Sequence, residues 1–328
     1  MAEMTPHARL TNQMDALSSA IARDRAVTVL MPTLNGAAFI LEQLQSLATQ
    51  TLLPTRLVVS DDGSRDATLA KIADFAHVAP FPITILRGPG QGVAANVLSL
   101  LASAPPGAVA LCDQDDVWLP EKLARARAAL AGLPLKTPAL YASARVVTDR
   151  FLSTRRSSVH YPLFPEFAAA LVQNPAAGNT ILLNGAGASL ARMAARDLTN
   201  APPFHDWWLC QLVLGAGGTV LLDPVPQVLY RQHNANALGA NTGLRRRLGR
   251  LRTLFNGCYG QWITLHAEAL HASRARLTPT AEARLLDLRA ALATGGHHIF
   301  DGPLQRAHPF ERFAARCAAR LGRLAPKG

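Results

Sequence analysis

Apolar and polar positions alternate with two different periods along the first half of this chain. Val27-Thr-Val-Leu-Met31 is a short β-rich run closed by Pro32, and from Gly36 to Ala48 the apolar residues Phe39, Ile40, Leu44 and Leu47 fall at helical spacing. The cycle recurs as Arg56–Ser60 then Ala67–Phe75, Ile83–Leu86 then Val93–Leu101, and Ala108–Cys112 then Pro120–Ala131. Strands alternating with helices predict a parallel α/β sheet that binds ligands at the carboxyl ends of its strands. The loops Pro32–Gly36, Asp61–Asp66, Arg87–Gly92 and Asp113–Leu119 then share one edge. After Pro138 the runs shorten, and strands are expected at Ala139–Ala144, Asn179–Leu183, Thr219–Leu222 and Gln227–Tyr230, with a helix over Asp206–Leu214. Beyond Gly243 the chain reads as arginine-rich helices around Leu244–Ser273, Thr280–Ala293 and Pro309–Leu321.

Composition narrows the class. The chain has 328 residues, 49% of them apolar, which suits a globular protein with one large or two small domains and excludes disorder. Two uncharged stretches, Gly88–Cys112 and Phe167–Ala191, are interrupted by prolines and amides that would be costly in lipid. The N-terminus lacks a continuous apolar signal core. Cys112, Cys210, Cys258 and Cys317 lie far apart with no C-x-x-C pair, which argues against a disulfide framework or zinc ribbon and places the chain in the cytoplasm. The net charge of +11 is concentrated: residues 243–328 carry 15 basic and 5 acidic side chains, a balance of +10. Such an excess fits a nucleic acid, an anionic membrane face or another polyanion.

Candidate chemistry centres on Asp113-Gln-Asp-Asp116, at the carboxyl end of an apolar strand. In extended backbone Asp113 and Asp115 point the same way, and three carboxylates in four residues repel unless a cation or solvent intervenes; Mg²⁺ or Mn²⁺ takes oxygen ligands of this kind. A solvated acidic turn is the alternative. Ser60-Asp-Asp-Gly-Ser64 shares that edge and can hold a base or ribose, or be a plain turn. His205-Asp206-Trp207-Trp208 opens a helix after Pro202-Pro203, so Asp206 is either an N-cap or a general base. His233 is a surface histidine or a metal or diphosphate contact, and the two tryptophans are core or sugar-stacking platforms.

Taken in order, Met31-Pro-Thr-Leu-Asn-Gly36, Ser60-Asp-Asp-Gly-Ser64, Asp113-Gln-Asp-Asp-Val-Trp-Leu-Pro-Glu-Lys122, His205-Asp-Trp-Trp208 and Tyr230-Arg-Gln-His233 resemble glycosyltransferase family 2, most closely its bacterial rhamnosyltransferase-type members. The resemblance covers residues 27–240. It implies the GT-A fold, a Rossmann-like, mostly parallel sheet flanked by helices, here with a basic helical C-terminal extension. It divides the chain into an N-terminal extension (1–26), a catalytic domain (27–242, with a nucleotide-sugar half at 27–137 and an acceptor half at 138–242) and a basic region (243–328). The activity implied is inverting, non-processive transfer, with rhamnose favoured over a UDP-hexose, from a nucleotide-diphosphate donor (dTDP-rhamnose or a UDP-sugar) to a glycan or lipid-linked acceptor in polysaccharide biosynthesis.

Residue by residue, the resemblance assigns Pro32, Thr33, Asn35, Asp62, Asn96, Asp113 and Arg231 to the nucleotide sugar. Asp115 and His233 would hold Mg²⁺ or Mn²⁺, Asp206 would be the base, and Trp207, Trp208 and Gly185 would meet the acceptor. Gly185-Ala-Gly-Ala-Ser189 stands where many relatives carry a Gly-Cys-Thr-like stretch, and no Q-x-x-R-W motif of processive synthases is present. In the tail, Phe310, Phe313, Cys317 and Leu321 form an apolar stripe beside Arg312, Arg316, Arg320 and Arg323; it either lies on an anionic membrane or packs on the catalytic domain. Nucleic-acid binding explains the tail but not the carboxylate edge, so no nucleic-acid partner is expected. A nucleotidyltransferase ranks lower because no glycine-rich loop with a following lysine precedes the first helix.

Overall fold

A computed structural model describes residues 26–157, 165–233, 252–300, 304, 306 and 309–324. The expected cycles form β1 (Val27–Thr33), α1 (Ile40–Ala48), β2 (Arg56–Asp61), α2 (Thr68–Ala76), β3 (Ile83–Arg87), α3 (Val93–Ser103), β4 (Ala108–Leu111) and α4 (Lys122–Ala131). Between β4 and α4 lies β5 (Val117–Trp118), within a segment expected to be loop. The second half holds β6 (Ala139–Thr148), β7 (Arg155–Ser157), α5 (Phe167–Val172), a 3₁₀ turn at Gly178–Thr180, β8 (Leu182–Leu183), α6 (Gly185–Asp197), α7 (His205–Gly215) and β9 (Thr219–Arg231). The described C-terminal part contributes α8 (Cys258–Ala272), α9 (Pro279–Ala293) and α10 (Pro309–Arg320).

One sheet runs in the order β3-β2-β1-β4-β8-β6-β9-β5, with β7 paired to β6. The first four strands are parallel. Because β8 is antiparallel to both β4 and β6, β6 and its parallel neighbour β9 run in the same direction as β4. The chain leaving β9 therefore emerges on the edge where β1, β2 and β4 also end. Two expected strands, 219–222 and 227–230, are one: β9 passes through Pro224 and Pro226, and the register against β6 slips there, a bulge being where a strand tolerates proline. The expected strand at 179–183 is shortened because its first residues coil into the 3₁₀ turn.

Side-chain alternation splits the core in two. Val27, Val29 and Met31 pack with Ile40, Leu44 and Leu47 of α1 and Leu123 of α4, whereas Leu30, Val109 and Leu111 face α3, α6 and α7. Leu270, Leu285, Leu288 and Ala315 belong to that second cluster, so the described C-terminal helices share the core of the catalytic half. Among the described residues no helix is long and apolar enough to cross a membrane.

Candidate functional site

The acidic loop after β4 is held from several distant places. One ligand atom each from Asp113, Asp115 and Asp116 lies within 4.8 Å of the others. Asp116 is fully buried and accepts Asn179 Nδ2 at 2.5 Å and the Arg231 backbone N–H at 3.1 Å. Burial first, and the charge of Asp115 second, push its pKa up to about 7 against those two donors. Asp113 is raised well above the ordinary carboxylate value by burial, then by Asp116 and Asp115, with Arg145 opposing. Arg145 itself lies over the Tyr230 ring at 4.2 Å. The three carboxylates make a donor set that suits a hard divalent cation, with an imidazole beside Asp115, and the hindered ionisation of Asp113 and Asp116 is what such a cation would relieve.

His233 supplies that imidazole. Its Nε2 is 2.7 Å from Asp115 Oδ2, and its ring stacks on Phe39 at 4.7 Å. Two residues earlier in the chain, Arg231 is 2% exposed and donates to the Asp115 carbonyl at 2.8 Å, the Arg150 carbonyl at 2.5 Å and Glu42 Oε2 at 2.5 Å, with its guanidinium over the same Phe39 ring. Arg231, expected at the diphosphate, is buried, and these three bonds tie β9 to the acidic loop and to α1.

Asp206 stands one residue step from this cluster. The Gly178 N–H donates to Asp206 Oδ2 at 3.2 Å, while the next residue, Asn179, is the donor to Asp116. A side chain at Gly178 would put its Cβ 2.7 Å from His205 Nε2, so any larger residue in this turn would have to displace that imidazole. The charge of Asp206 is the least of the named influences raising the Asp113 pKa. Burial lowers the His205 pKa, and Asp206 partly offsets that.

The β1–β2 edge is laced by local hydrogen bonds. Asp61 accepts Thr33 Oγ1 at 2.8 Å, the Gly63 N–H at 3.0 Å, the Ser64 N–H at 2.7 Å and Ser64 Oγ at 2.6 Å. Burial by itself would raise the Asp61 pKa, but these donors outweigh it and the pKa is lowered. Asp62 accepts the backbone N–H groups of Gly90 and Gly92 at 3.0 and 3.1 Å, so it braces the glycine loop after β3. Asn35, in the left-handed region at φ 49°, accepts from the Arg65 N–H and receives its own N–H's partner in Ser64 Oγ. Gln114 exchanges two 3.0 Å bonds with the Leu34 backbone, and its side chain fills the space a Cβ at Gly36 would occupy. Pro32 is buried in β1 opposite Ser60. Thr33 is 2% exposed, and Asn96, 1% exposed, donates to the Ser60 carbonyl at 2.8 Å. Thr33, Asn35 and Asn96 thus hold the loops at this end of the sheet.

The acceptor assignments are corrected. Trp207 is 3% and Trp208 0% exposed. Trp207 donates to the Ala170 carbonyl at 2.5 Å and its ring meets His266 of α8 at 4.4 Å, so neither indole is a platform open to a sugar. Gly185 opens α6 next to Asn184, whose side chain bonds the Ala139 N–H and the Thr137 carbonyl at the start of β6. That is the opposite edge of the sheet from Asp113. The triplet closing on the acidic site is Gly178-Asn179-Thr180.

The profile of Glycosyl transferase family 2 matches residues 28–177. The chain is 27% identical over 250 residues to the dTDP-rhamnosyl transferase RfbG of Shigella flexneri, spanning 73% of this chain and 84% of that protein. It is also 31% identical over 100 residues to WfgD of Escherichia coli, a UDP-Glc:alpha-D-GlcNAc-diphosphoundecaprenol beta-1,3-glucosyltransferase, across 30% of this chain and 39% of WfgD. Residues 28–177 are a family 2 glycosyltransferase domain. Among solved structures, S. aureus TarS 1-349 in complex with UDP-GlcNAc has a TM-score of 0.52 at 15% identity, covering 91% of this chain and 88% of TarS 1-349. The mannosyltransferase PcManGT from Pyrobaculum calidifontis, in complex with GDP-Man and Mn²⁺, has a TM-score of 0.50 at 18% identity over 96% and 94% of the two chains. The fold is GT-A, and the protein is a glycosyltransferase.

Several residues that shape the glycosyltransferase site carry no motif. Phe39 and Glu42 sit in or beside the first turn of α1, and Asn179 and Arg145 lie in the second half of the sheet. Asn179 alone left a trace, as an amide inside an otherwise apolar stretch. Phe39 reads as one more apolar position on an amphipathic helix.

Proposed function

We propose that this glycosyltransferase moves one sugar at a time, rhamnose in preference to a hexose, from a nucleoside-diphosphate donor to a hydroxyl of a glycan or lipid-linked acceptor, with inversion at the anomeric carbon. Its setting in this reading is the cytoplasm, with peripheral contact to the inner membrane face. The observation that carries the proposal is the two-residue bridge at Gly178-Asn179, which connects Asp206 to Asp116 and so sets a carboxylate beside, and not within, the acidic cluster. One carboxylate suits proton removal and the others suit cation binding, a division of labour that environment imposes on chemically identical groups.

In this reading Asp115 and His233 hold Mg²⁺ or Mn²⁺, with Asp113 and Asp116 beside them. Such an ion supplies Lewis-acid neutralisation of the charge that develops on a departing diphosphate. Asp206 accepts the proton of the acceptor hydroxyl as that oxygen attacks, from the side of the site that α7 forms. Asp62 and the glycine loop that it braces form the donor end. The name of the Shigella relative supports a dTDP-rhamnose donor, and the name of the WfgD relative supports the runner-up, a UDP-hexose, over a shorter stretch.

A thermal-shift panel with Mn²⁺ tests the reading directly, since a ligand bound to the folded state raises its melting temperature. dTDP-rhamnose is expected to give a larger shift than UDP-glucose or UDP-GlcNAc, and the shift is expected to shrink when Mn²⁺ is chelated. A panel in which no nucleotide sugar moves the melting temperature overturns it.

A further inference from the structure

Helix α10 buries one face and leaves another exposed. It packs with its small residues: Ala314, Ala315, Ala318 and Ala319 are all 5% exposed or less. The chain just beyond packs as closely, Leu324 lying so near α8 that a Cβ at Gly260 would come within 2.6 Å of its backbone. At about 100° per residue, the side of α10 opposite those alanines carries Phe313, Arg316, Cys317 and Arg320, with Phe310 and Leu321 along one flank. Phe313 is 68% exposed, Leu321 65% and Phe310 53%. The alanine face thus serves the core, and Phe310, Phe313 and Leu321 of the stripe that sequence offered to either a membrane or the catalytic domain look outward.

We propose that this outward face is a contact surface for an anionic lipid bilayer. Large apolar side chains set among arginines are what an interfacial helix presents, the rings entering the acyl boundary while the guanidinium groups stay at headgroup level. Charge complementarity selects the lipid. Arg320 and Arg323 are exposed, and the Nε atoms of Arg312 and Arg316 are anchored on the backbone carbonyls of Arg306 and Phe300 at 3.2 and 3.3 Å, which orders those side chains. The helix's own acid, Glu311, is engaged by Arg306 at 3.0 Å and does not neutralise the face. Residues 243–328 as a whole carry +10. A second copy of this chain would bring the same positive charge to the contact, and a stacked nucleic acid would leave Leu321 without a role.

Vesicle flotation of the full chain tests this, using phosphatidylcholine alone against phosphatidylcholine mixed with phosphatidylglycerol. Wild type is expected to float with the mixed vesicles and to be released by salt. Arg320→Glu with Arg323→Glu should weaken partitioning about tenfold or more, each basic side chain near such a surface contributing about 1 kcal/mol. Phe313→Ser with Leu321→Ser, both far exposed and so tolerated by the fold, should weaken it even where the charge is untouched. Failure of wild type to float with anionic vesicles at low salt overturns the proposal. So does a wild-type dimer in solution that the Phe313/Leu321 pair dissociates while flotation is unchanged, or flotation equal among all three proteins. The inference rests on the peripheral membrane setting of the proposed function and gives it a surface; it fails separately from the sugar-transfer reading, because nucleotide-sugar binding is measured without vesicles and flotation without a donor.

Discussion

The two halves of the sheet edge are built by different means. Where β1 and β2 end, polar side chains are satisfied from adjoining loops no more than 30 residues away: Asp61 by Thr33 and the two residues beyond Asp62, Asn35 by Ser64 and Arg65, Asp62 by the glycine loop of the next strand. Where β4 and β9 end, the partners come from remote sequence: Asp116 with Asn179, Arg231 with Glu42, His233 with Asp115. Local lacing makes a rigid cradle, whereas long-range pairing gathers charge that no single loop would tolerate. Disrupting the first should unfold loops, and disrupting the second should silence chemistry in a folded protein.

The largest effect is expected at Asp206. Asp206→Asn keeps an acceptor for the Gly178 N–H but removes the basic oxygen, so kcat should fall about 10²–10⁴-fold with donor binding nearly unchanged. Steady-state assays beside donor titration by calorimetry separate the two. Near-normal turnover would move the base elsewhere and dissolve the contrast between the two edges.

On the local side the expected effect is on stability. Asp61→Ala strips four donors of their acceptor and should cost about 3 kcal/mol in chemical denaturation. Asp62→Ala loses two half-exposed bonds and should cost less while weakening nucleotide binding more. The reverse ranking would make Asp61 the ligand-facing carboxylate.

What could be read from sequence follows the same division. The four β/α cycles were legible because alternation and helical spacing are local signals, and Asp-Asp-Gly-Ser is a turn before it is anything else. The two-residue strand β5 carries too little pattern to be seen, β8 was legible only as the end of a longer expected strand, and Pro224 and Pro226 disguised β9 as two pieces. Arg231 looked available because its counter-ion Glu42 lies 189 residues away. Trp207 and Trp208 looked like platforms because only α5, the rest of α7 and α8, packed in three dimensions, show that they are core.

The aromatic core beneath α7 gives a pH test of intermediate size. His266 is fully buried against Trp207, and burial lowers its pKa to about 3. The unfolded chain takes up that proton near pH 6.5, so the stability tied to neutral His266 is present above pH 6.5 and is lost as pH falls toward 3. By pH 5 the loss should reach about 2 kcal/mol. His266→Phe should flatten the melting temperature between pH 7 and 5, and an unchanged slope would assign the acid sensitivity to other groups.

The smallest expected effect bears most directly on how the long-range edge is aimed. Phe39 carries the His233 ring on one stacking contact and the Arg231 guanidinium on another, so removing it could act through either. Phe39→Ala should weaken Mn²⁺ binding about 2- to 10-fold, the range an aromatic contact supports, and Phe39→Tyr should restore it. Repeating the substitution in a His233→Ala background separates the routes. If Phe39 works by holding the imidazole over Asp115, its effect on Mn²⁺ affinity, read by paramagnetic resonance of the free ion, disappears once the imidazole is gone. If it works by seating Arg231, the loss persists at full size, and the aim of the acidic loop would belong to the buried guanidinium and not to the histidine.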